Sequence, residues 1–381
     1  MKIFDLRTET RDGWTGRVAS LTWEDSDRPD RDLCFLTRDE LATDLSQSGN
    51  PFLAGAFPAA LKHGEQRIFV DGPCCPWLRD GIETVIKYFN HWFYGNERRL
   101  RIETGGHAEP EREQRRTGAF VSGGLDSSFA LWNNARRFAH GHSGRIRDAI
   151  VLQGFEIQVD GEASLPVFDR AHDALEPVAA ELDLELIPLI TNLRQLEPDG
   201  DFWGEQFQGP ILAAAAHALA PRLTDVIVAA STDVANLRPY GTHPALDPKL
   251  GSHSLAIHHL GERYTRLEKV KAMAVDSLEP FLDRDLTMVE RLHEEENKVD
   301  ALDEQITDYL VRIGKQELSD EQAREVYMML HVTKQFEHMA DIIDKQIRPL
   351  ALKMIQQNTE FSDTGRAEVQ SYHLKMTKQI S

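Results

Sequence analysis

The sequence predicts an α/β protein in which a doubly wound parallel sheet is preceded by a small α+β domain and followed by an all-α helical bundle. Three observations lead to this fold class. Short apolar runs alternate with amphipathic helical stretches in the middle of the chain, and a glycine-rich turn follows the first of those runs. Towards the end, glycine becomes rare and long helical periodicity takes over. We therefore expect three domains, over residues 1–115, 116–278 and 279–381.

The composition is that of an acidic protein with few cysteines. The 381 residues carry a formal net charge of −19 at pH 7, which argues against nucleic acid as a partner. No apolar run has the length needed to span a bilayer, and the N-terminal residues lack the apolar core of a signal peptide. Three cysteines are too few for a disulfide framework or a four-cysteine zinc site. We expect a cytoplasmic protein without membrane insertion.

The first 115 residues carry secondary-structure signals but no motif that points to chemistry. Strands are expected near residues 33–36 and 67–70. A helix is expected over 76–92, where apolar side chains recur on one face. The charged stretch 107–114 has the character of an exposed connector to the next domain.

Strands and helices alternate in the central domain. Strands are expected at four apolar runs, over residues 119–121, 149–152, 184–189 and 226–230. Helices are expected in the intervals, ending at 138 in the first and spanning 166–182 and 202–219 in the next two. Strands joined through helices form right-handed crossovers and a parallel sheet, whose ligands bind beyond the carboxyl ends of the strands. The residues that follow three of these strands are therefore the candidate site.

The first strand end is the glycine-rich turn Ser122-Gly123-Gly124-Leu125-Asp126-Ser127-Ser128. Glycines allow close approach of a ligand to the backbone, and the N–H groups at a helix N-terminus attract anions. The chain has no Walker loop, and this turn lacks the dinucleotide-binding fingerprint. The pattern favours a phosphate-binding loop, and the alternative is a plain turn with Asp126 or Ser127 as a helix cap.

This string resembles the signature of the PP-loop ATP pyrophosphatases, in the adenine nucleotide alpha hydrolase superfamily, which includes asparagine synthetase, GMP synthetase and NAD synthetase. The resemblance covers roughly residues 60–275. It implies ATP and Mg²⁺ as cofactors, with the loop holding the phosphates that leave as pyrophosphate and Asp126 facing the Mg²⁺. It also implies that Gln153, Gly154 and Phe155 hold the adenine through backbone groups beside an apolar wall. The alternative is that these three residues are only a turn and part of the core.

The last strand end is followed by an unusually long polar stretch, residues 231–248. Asp233 is expected to provide a second contact to Mg²⁺ or to orient the attacking group. Arg238, Arg266 and Lys269 are the cations available to stabilise charge on the α-phosphate and pyrophosphate. Arg266 and Lys269 are three residues apart and can share one helix face, although the alternative is a solvated face paired with Glu268.

The same stretch resembles a subgroup of asparagine-synthetase-like PP-loop proteins, through the string Tyr240-Gly241-Thr242-His243-Pro244-Ala245-Leu246-Asp247-Pro248. We expect His243 and Asp247, together with Arg238, to belong to the substrate pocket. A zinc site at the histidines of residues 243–259 is a weaker alternative, because they lack regular ligand spacing. Many members of the subgroup continue into a cysteine-rich string, but this chain has no cysteine after Cys75. Zinc-supported or sulfur-transfer chemistry is accordingly disfavoured.

The C-terminal segment resembles a PhoU-type helical bundle, from about residue 283 to 381. Apolar residues at alternating three- and four-residue spacing trace helices over 286–313 and 326–350, and a third helix is expected over 363–378. Bundles of this kind often self-associate, so this segment is a candidate interface for a homo-oligomer.

The resemblance also implies a metal motif of two carboxylates four residues apart. Glu337 and Asp341 match it, and Glu296 and Asp300 match it less closely. Carboxylates at this spacing share one face of a helix and can bind one cation together. Such pairs are common on exposed helices, so the alternative is a docking or dimerisation bundle without metal.

These features lead to one functional hypothesis and two alternatives. The hypothesis is an AMP-forming enzyme that activates a carboxylate or amide oxygen of a small molecule or peptide, for attack by a nitrogen or sulfur nucleophile. Because residue 2 is lysine, we expect no glutaminase of the asparagine-synthetase type, and ammonia or another amine must come from outside. The first alternative is a regulator that senses nucleotide or phosphate through the PhoU-like bundle. A tRNA-modifying adenylase is disfavoured by the acidic charge.

Overall fold

The structure is a computed structural model that describes residues 1–108, 116–155, 165–266, 268–269, 348–357 and 361–379. The chain divides into two compact units, Met1–Val270 and Lys271–Ser381. The predicted boundary, before residue 279, lies eight residues from this division.

The first unit contains ten strands and six helices in the residues described. The strands are β1 (Lys2–Arg11), β2 (Trp14–Thr22), β3 (Arg31–Arg38), β4 (Arg67–Cys74), β5 (Arg101–His107), β6 (Thr117–Phe120), β7 (Ile146–Gln153), β8 (Glu185–Thr191), β9 (Asp225–Ala229) and β10 (Ala256–Leu260). The helices are α1 (Asn50–Lys62), α2 (Pro76–Phe89), α3 (Leu125–Arg137), α4 (Leu165–Leu182), α5 (Gly200–Phe202) and α6 (Gln208–Ala218).

All ten strands belong to one mixed sheet, in the order β10-β9-β6-β7-β8-β3-β2-β1-β4-β5. The five strands from β10 to β8 are parallel to one another. An antiparallel pairing of β3 with β8, in which Phe35 lies opposite Thr191, joins them to the strands from the first 107 residues. The strands on the two sides of the predicted boundary at residue 115 therefore share one sheet, although the boundary itself stays a prediction.

Apolar residues are buried along the sheet and in the helices that pack on it. Helix α1 is buried over nearly its whole length and packs against the alanine-rich helix α6. Gly55 makes this packing possible, because a Cβ there would lie 2.4 Å from Cδ1 of Leu193 and 3.2 Å from Cβ of Ala214. The close contact fixes α6 relative to the sheet, and the N-terminal turn of α6 reaches the candidate site.

The predicted alternation of strands and helices in the central region is confirmed, with boundaries shifted by a few residues. The helix expected over 202–219 is interrupted, because a π-helical turn at Trp203–Phe207 separates α5 from α6. The helix expected over 76–92 ends at Phe89 and continues as a π-helical turn, Asn90–Tyr94. Strand β10 lies in a stretch where no strand was predicted.

Two helices of the second unit are described, α7 (Arg348–Gln356) and α8 (Asp363–Gln379). Helix α8 confirms the third helix expected near the C-terminus. The candidate metal ligands Glu337 and Asp341, like Glu296 and Asp300, lie outside the described residues. Within the described ranges, no helix is both long and apolar enough to cross a membrane.

Candidate functional site

The glycine-rich loop connects β6 to α3 and is held by its own hydroxyl groups. Gly123 has a φ of +75°, which favours glycine, and Gly124 is the N-cap of α3. The Ser127 Oγ donates to the carbonyl of Gly124 at 3.0 Å and lies 3.4 Å from the backbone N of Ser122. The backbone N–H of Ser128 makes the first helical hydrogen bond, to Gly124 at 3.0 Å. The exposed residues 122–124 therefore lie at the positive end of a 13-residue helix.

Two cations converge on the carboxylate of Asp126, in the first turn of α3. The Nζ of Lys269 donates to Oδ1 at 2.7 Å, and a guanidinium nitrogen of Arg266 lies 3.2 Å from Oδ2. The Lys269 side chain is only 1% exposed and also donates to the carbonyl of Ala230, directly after β9. Arg266 is 65% exposed, so water and salt screen its interaction more strongly.

A capping box places Lys269 and Arg266 in this position. The Thr265 hydroxyl accepts a hydrogen bond from the backbone N–H of Glu268 at 3.1 Å, and the Glu268 carboxylate accepts from the backbone N–H of Thr265 at 2.8 Å. The backbone N–H of Lys269 then donates to the carbonyl of Thr265 at 3.0 Å, as in a first helical turn. Glu268 therefore stabilises the start of a helix, whereas the sequence left it as a possible partner of the two cations.

A cavity of about 480 Å³ adjoins the loop. This volume lies in the range of small-molecule sites. Most of the wall is apolar, with contributions from the ends of β6, β7 and β9. Polar residues in the wall include Ser122, Asp126, Ser127, Gln153, Gln208 and Ser231. The structure thus brings together residues that follow three different strands, at the edge of the sheet where parallel strands bind their ligands.

Gln153 is the last residue of β7 and lines this cavity. Its side chain is deeply buried, and among the residues that the structure describes neither Oε1 nor Nε2 has a hydrogen-bond partner. The next residue, Gly154, turns the chain with a φ of +88°. The ring of Phe155 then packs edge-on against Trp203, with centroids 4.6 Å apart. The sequence located this strand end, and the predicted contact of adenine with its backbone groups stays a prediction.

A smaller cavity of about 130 Å³ shares Ser231, Tyr240 and Thr242 with the larger one. Arg238 and His243 contribute to its wall. The smaller cavity therefore lies next to the larger one, and its wall contains a cation and two imidazoles that can contact an anionic ligand.

The environment of His243 favours its neutral form. Burial and the neighbouring His259 lower the pKa of its imidazole. Its Nδ1 accepts a hydrogen bond from the backbone N–H of Ala245 at 3.0 Å, which leaves the proton of the neutral ring on Nε2. The ring also packs edge-on against Trp92, with centroids 5.0 Å apart.

Asp247, expected in the substrate pocket, lies behind the smaller cavity and lines neither space. Its carboxylate is 2% exposed and lies 2.7 Å from Nδ1 of His259, a residue that does line the smaller cavity. Burial raises the pKa of Asp247, while His259 acts in the opposite direction. Asp247 therefore orients His259, a residue that the sequence considered only as part of a zinc site.

Asp233 uses its carboxylate within its own turn. One oxygen accepts from the backbone N–H of Ala235 at 3.0 Å, and the other accepts from the amide of Asn236 at 2.8 Å. The hydrogen bond from Asn236 contributes most to the lowered pKa of Asp233. Asp233 does not line the larger cavity. Its role as a second Mg²⁺ contact stays a prediction.

Two of the histidines considered for zinc are paired with carboxylates instead. His258 lies 2.9 Å from the carboxylate of Asp225, and His259 is paired with Asp247. Among the residues that the structure describes, a group of three potential metal ligands occurs on α4 instead, formed by His172, Asp173 and Glu176. The two acidic members of that group are exposed, as acidic groups without metal commonly are.

Comparison with known families gives one match. The family model described as the PhoU domain matches residues 267–346. This supports the predicted PhoU resemblance of the C-terminal part, although the match begins before residue 279 and includes Lys269. Neither the curated proteins nor the solved structures gave a significant match to the chain.

Proposed function

We propose that this protein is a PP-loop ATP pyrophosphatase with a doubly wound sheet, which cleaves ATP to AMP and pyrophosphate in order to activate an oxygen of an acceptor substrate. The convergence of Lys269 and Arg266 on Asp126, beside a glycine-rich loop and a cavity of about 480 Å³, carries the proposal. Cleavage of ATP at the α-phosphorus requires groups that bind the phosphates, a ligand for Mg²⁺ and cations that stabilise negative charge. Loop N–H groups, a carboxylate and two cations can fill these roles. A cytoplasmic location fits this activity.

In this proposal, the loop of residues 122–128 binds the β- and γ-phosphates at the N-terminus of α3. The carboxylate of Asp126 is a hard oxygen donor that fits Mg²⁺, and the bound ion would neutralise phosphate charge. Lys269 and Arg266, which pair with Asp126 in the structure, stabilise the charge that builds on the α-phosphate and the departing pyrophosphate. Each group acts on charge that increases as ATP is cleaved.

The acceptor lies in the smaller cavity, where Arg238 and His243 are available to a carboxylate or an amide. An acceptor oxygen attacks the α-phosphorus, and the bond from that phosphorus to the bridging oxygen of pyrophosphate breaks. A nitrogen nucleophile, or a sulfur nucleophile, then attacks the activated carbon and releases AMP. We propose that ammonia or another amine comes from an external donor. A homo-oligomer formed through the C-terminal bundle is compatible with this chemistry.

The test is formation of AMP and pyrophosphate from radiolabelled ATP and Mg²⁺ with pools of carboxylates and amides, in the presence of ammonia. We expect AMP to form with at least one pool. Lys269→Met should lower the rate about a hundredfold or more, the usual effect of removing one charge-stabilising group. Lys249→Met is the matched control, because Lys249 is exposed and lines neither of the two cavities.

Binding measured alongside turnover separates the possible failures. Thermal unfolding with and without ATP reports binding, and a ligand at a hundredfold excess over its Kd adds about 2.7 kcal/mol to stability. ATP binding without pyrophosphate release from any pool would contradict the enzyme and favour a sensor. Absence of ATP binding would contradict both.

The second candidate function, a nucleotide sensor, is favoured by the position of Lys269. This residue lies inside the segment that matches the PhoU domain, and it is also the buried partner of Asp126 in the glycine-rich loop. Mg²⁺ that binds Asp126, or a nucleotide phosphate that binds Lys269, would therefore alter this ion pair at the first helical turn of the PhoU-like segment. A sensor of this kind binds ATP and releases no pyrophosphate.

A further inference from the structure

The side chain of Gln153 is a buried amide with unused hydrogen-bonding capacity. It is 4% exposed, and within the described part of the chain both of its polar atoms lack hydrogen-bond partners. Leaving a buried donor or acceptor unsatisfied costs roughly 1–3 kcal/mol, so native proteins rarely retain one without a reason. Because Gln153 belongs to the wall of the 480 Å³ cavity, a ligand bound there can supply both missing partners when the shielded amide turns towards it.

The chemistry of the amide restricts what that ligand can be. A glutamine side chain offers an acceptor oxygen next to donor N–H groups. The complementary ligand must therefore present a donor and an acceptor side by side. Adenine does so with its 6-amino group and N7, whereas the same edge of guanine presents two acceptors.

The rest of the cavity suits a planar base attached to phosphates. Apolar and aromatic side chains form most of the wall, among them Phe120, Leu212 and Val228. The same cavity includes Ser122 and Ser127 of the phosphate-binding loop. A nucleotide can thus place its base in the apolar part and its phosphates at the loop.

We infer that the Gln153 side chain recognises the adenine edge and selects ATP over nucleotides that lack its 6-amino group. This inference rests on the nucleotide cavity of the proposed function, and it adds a residue that determines base specificity. It requires binding alone and is independent of whether ATP is cleaved.

The test compares the Kd of ATP with the Kd of purine riboside triphosphate, which lacks the 6-amino group, by calorimetry with Mg²⁺. For the unmodified protein we expect ATP to bind about tenfold more tightly, as one bidentate contact between an amide and adenine allows. Gln153→Leu keeps a similar side-chain volume and should bring the ratio of the two Kd values close to one. Gln66→Leu, the same change at an exposed position outside the cavity, should preserve the selectivity.

The possible results distinguish this inference from the proposed function. If Gln153→Leu binds nucleotide with unchanged selectivity, base recognition by Gln153 is wrong while the nucleotide site stands. If the unmodified protein binds neither nucleotide, the site and the inference both fail. If selective ATP binding occurs without AMP formation, the inference holds and the enzyme proposal fails. A cooperative thermal transition for Gln153→Leu shows that the variant is folded.

Discussion

Strand β7 carries a buried polar side chain near each of its ends, and the two have opposite environments. Asp148, near the start, is fully buried and accepts hydrogen bonds from Arg116 at 2.5 and 2.7 Å and from Arg222 at 2.8 Å. Arg222 in turn reaches Asp44 at 2.7 Å. Gln153, the last residue of the strand, is buried to a similar degree, and no described residue is a hydrogen-bond partner for either of its polar side-chain atoms.

This difference in hydrogen bonding distinguishes polar groups that stabilise the fold from polar groups that remain available to a ligand. At the amino end of the strand, the carboxylate of Asp148 is paired with two arginines, and the hydrogen bond to Asp148 raises the pKa of Arg116. At the carboxyl end, the protein leaves an amide unsatisfied beside a cavity. Burial alone does not distinguish the two roles, whereas the completeness of the hydrogen bonding does.

The largest expected change in the free energy of unfolding comes from the amino end of β7, where Asp148 is paired with arginines. Asp148→Ala leaves two arginines without their buried partner, and loss of one member of such a pair costs about 3–5 kcal/mol. Urea unfolding should show this loss, with Asp30→Ala, a change at an exposed position, as the control. The folded fraction should keep its preference for ATP over purine riboside triphosphate. A loss of that preference would mean that the two ends of the strand do not have separate roles.

An intermediate effect on the free energy of unfolding is expected from His217, a buried group with one hydrogen-bond partner in the described residues. His217 in α6 is fully buried, with Nε2 2.8 Å from the carbonyl of Leu250 and with no partner for Nδ1 among the described residues. Burial lowers its pKa to about 4. Between the unfolded value near 6.5 and this value, the unfolded chain binds a proton that the folded protein does not. Stability should therefore fall as the pH falls through this window, by on the order of 3 kcal/mol in total.

The variant His217→Gln isolates this contribution, because it keeps a neutral hydrogen-bond donor and removes the titrating ring. The free energy of unfolding is measured for both proteins at pH 7 and at pH 4.5. Subtracting the values for the two proteins at each pH removes the contributions of the other titrating groups. We expect the stability of the variant relative to the unmodified protein to increase from pH 7 to pH 4.5. Parallel pH dependences would show that His217 does not remain neutral in the folded protein.

The smallest expected change in the free energy of unfolding comes from the carboxyl end of β7, at Gln153. It is a gain of stability, whereas Asp148→Ala causes a loss. Gln153→Leu removes two unsatisfied buried atoms, so the protein without ligand should gain about 1 kcal/mol of stability. Urea unfolding without nucleotide measures this gain, and Gln66→Leu at the exposed position should give none. A loss of stability would mean that the amide makes a structural interaction, and the contrast with Asp148 would no longer hold.

The local features of the fold could be predicted from the sequence, but the pairing of distant segments could not. Strand β7 was predicted because four apolar residues in a row give a local signal. Strand β10 was missed because His258 and His259 interrupt its apolar pattern, and its strand geometry comes from pairing with β9. The pairing of β3 with β8 joins residues far apart in sequence, and no local pattern specifies which strand edges meet.

The candidate site shows the same limit. The spacing of Arg266 and Lys269 predicted a shared helix face, and the structure brings both to Asp126. The pairing of Asp247 with His259 depends on the position of β10, which the sequence did not reveal. The missing partners of Gln153 are a property of everything around it, so no motif could have indicated them.

The contact between Lys269 and Asp126 also has a consequence for folding. It joins residues 143 positions apart in the chain, and closing so long a loop is entropically costly until the intervening strands have paired. We therefore expect this ion pair to be among the last contacts to form during refolding. A partly folded chain would lack the completed arrangement around Asp126, so the appearance of nucleotide binding during refolding should lag behind the formation of the sheet.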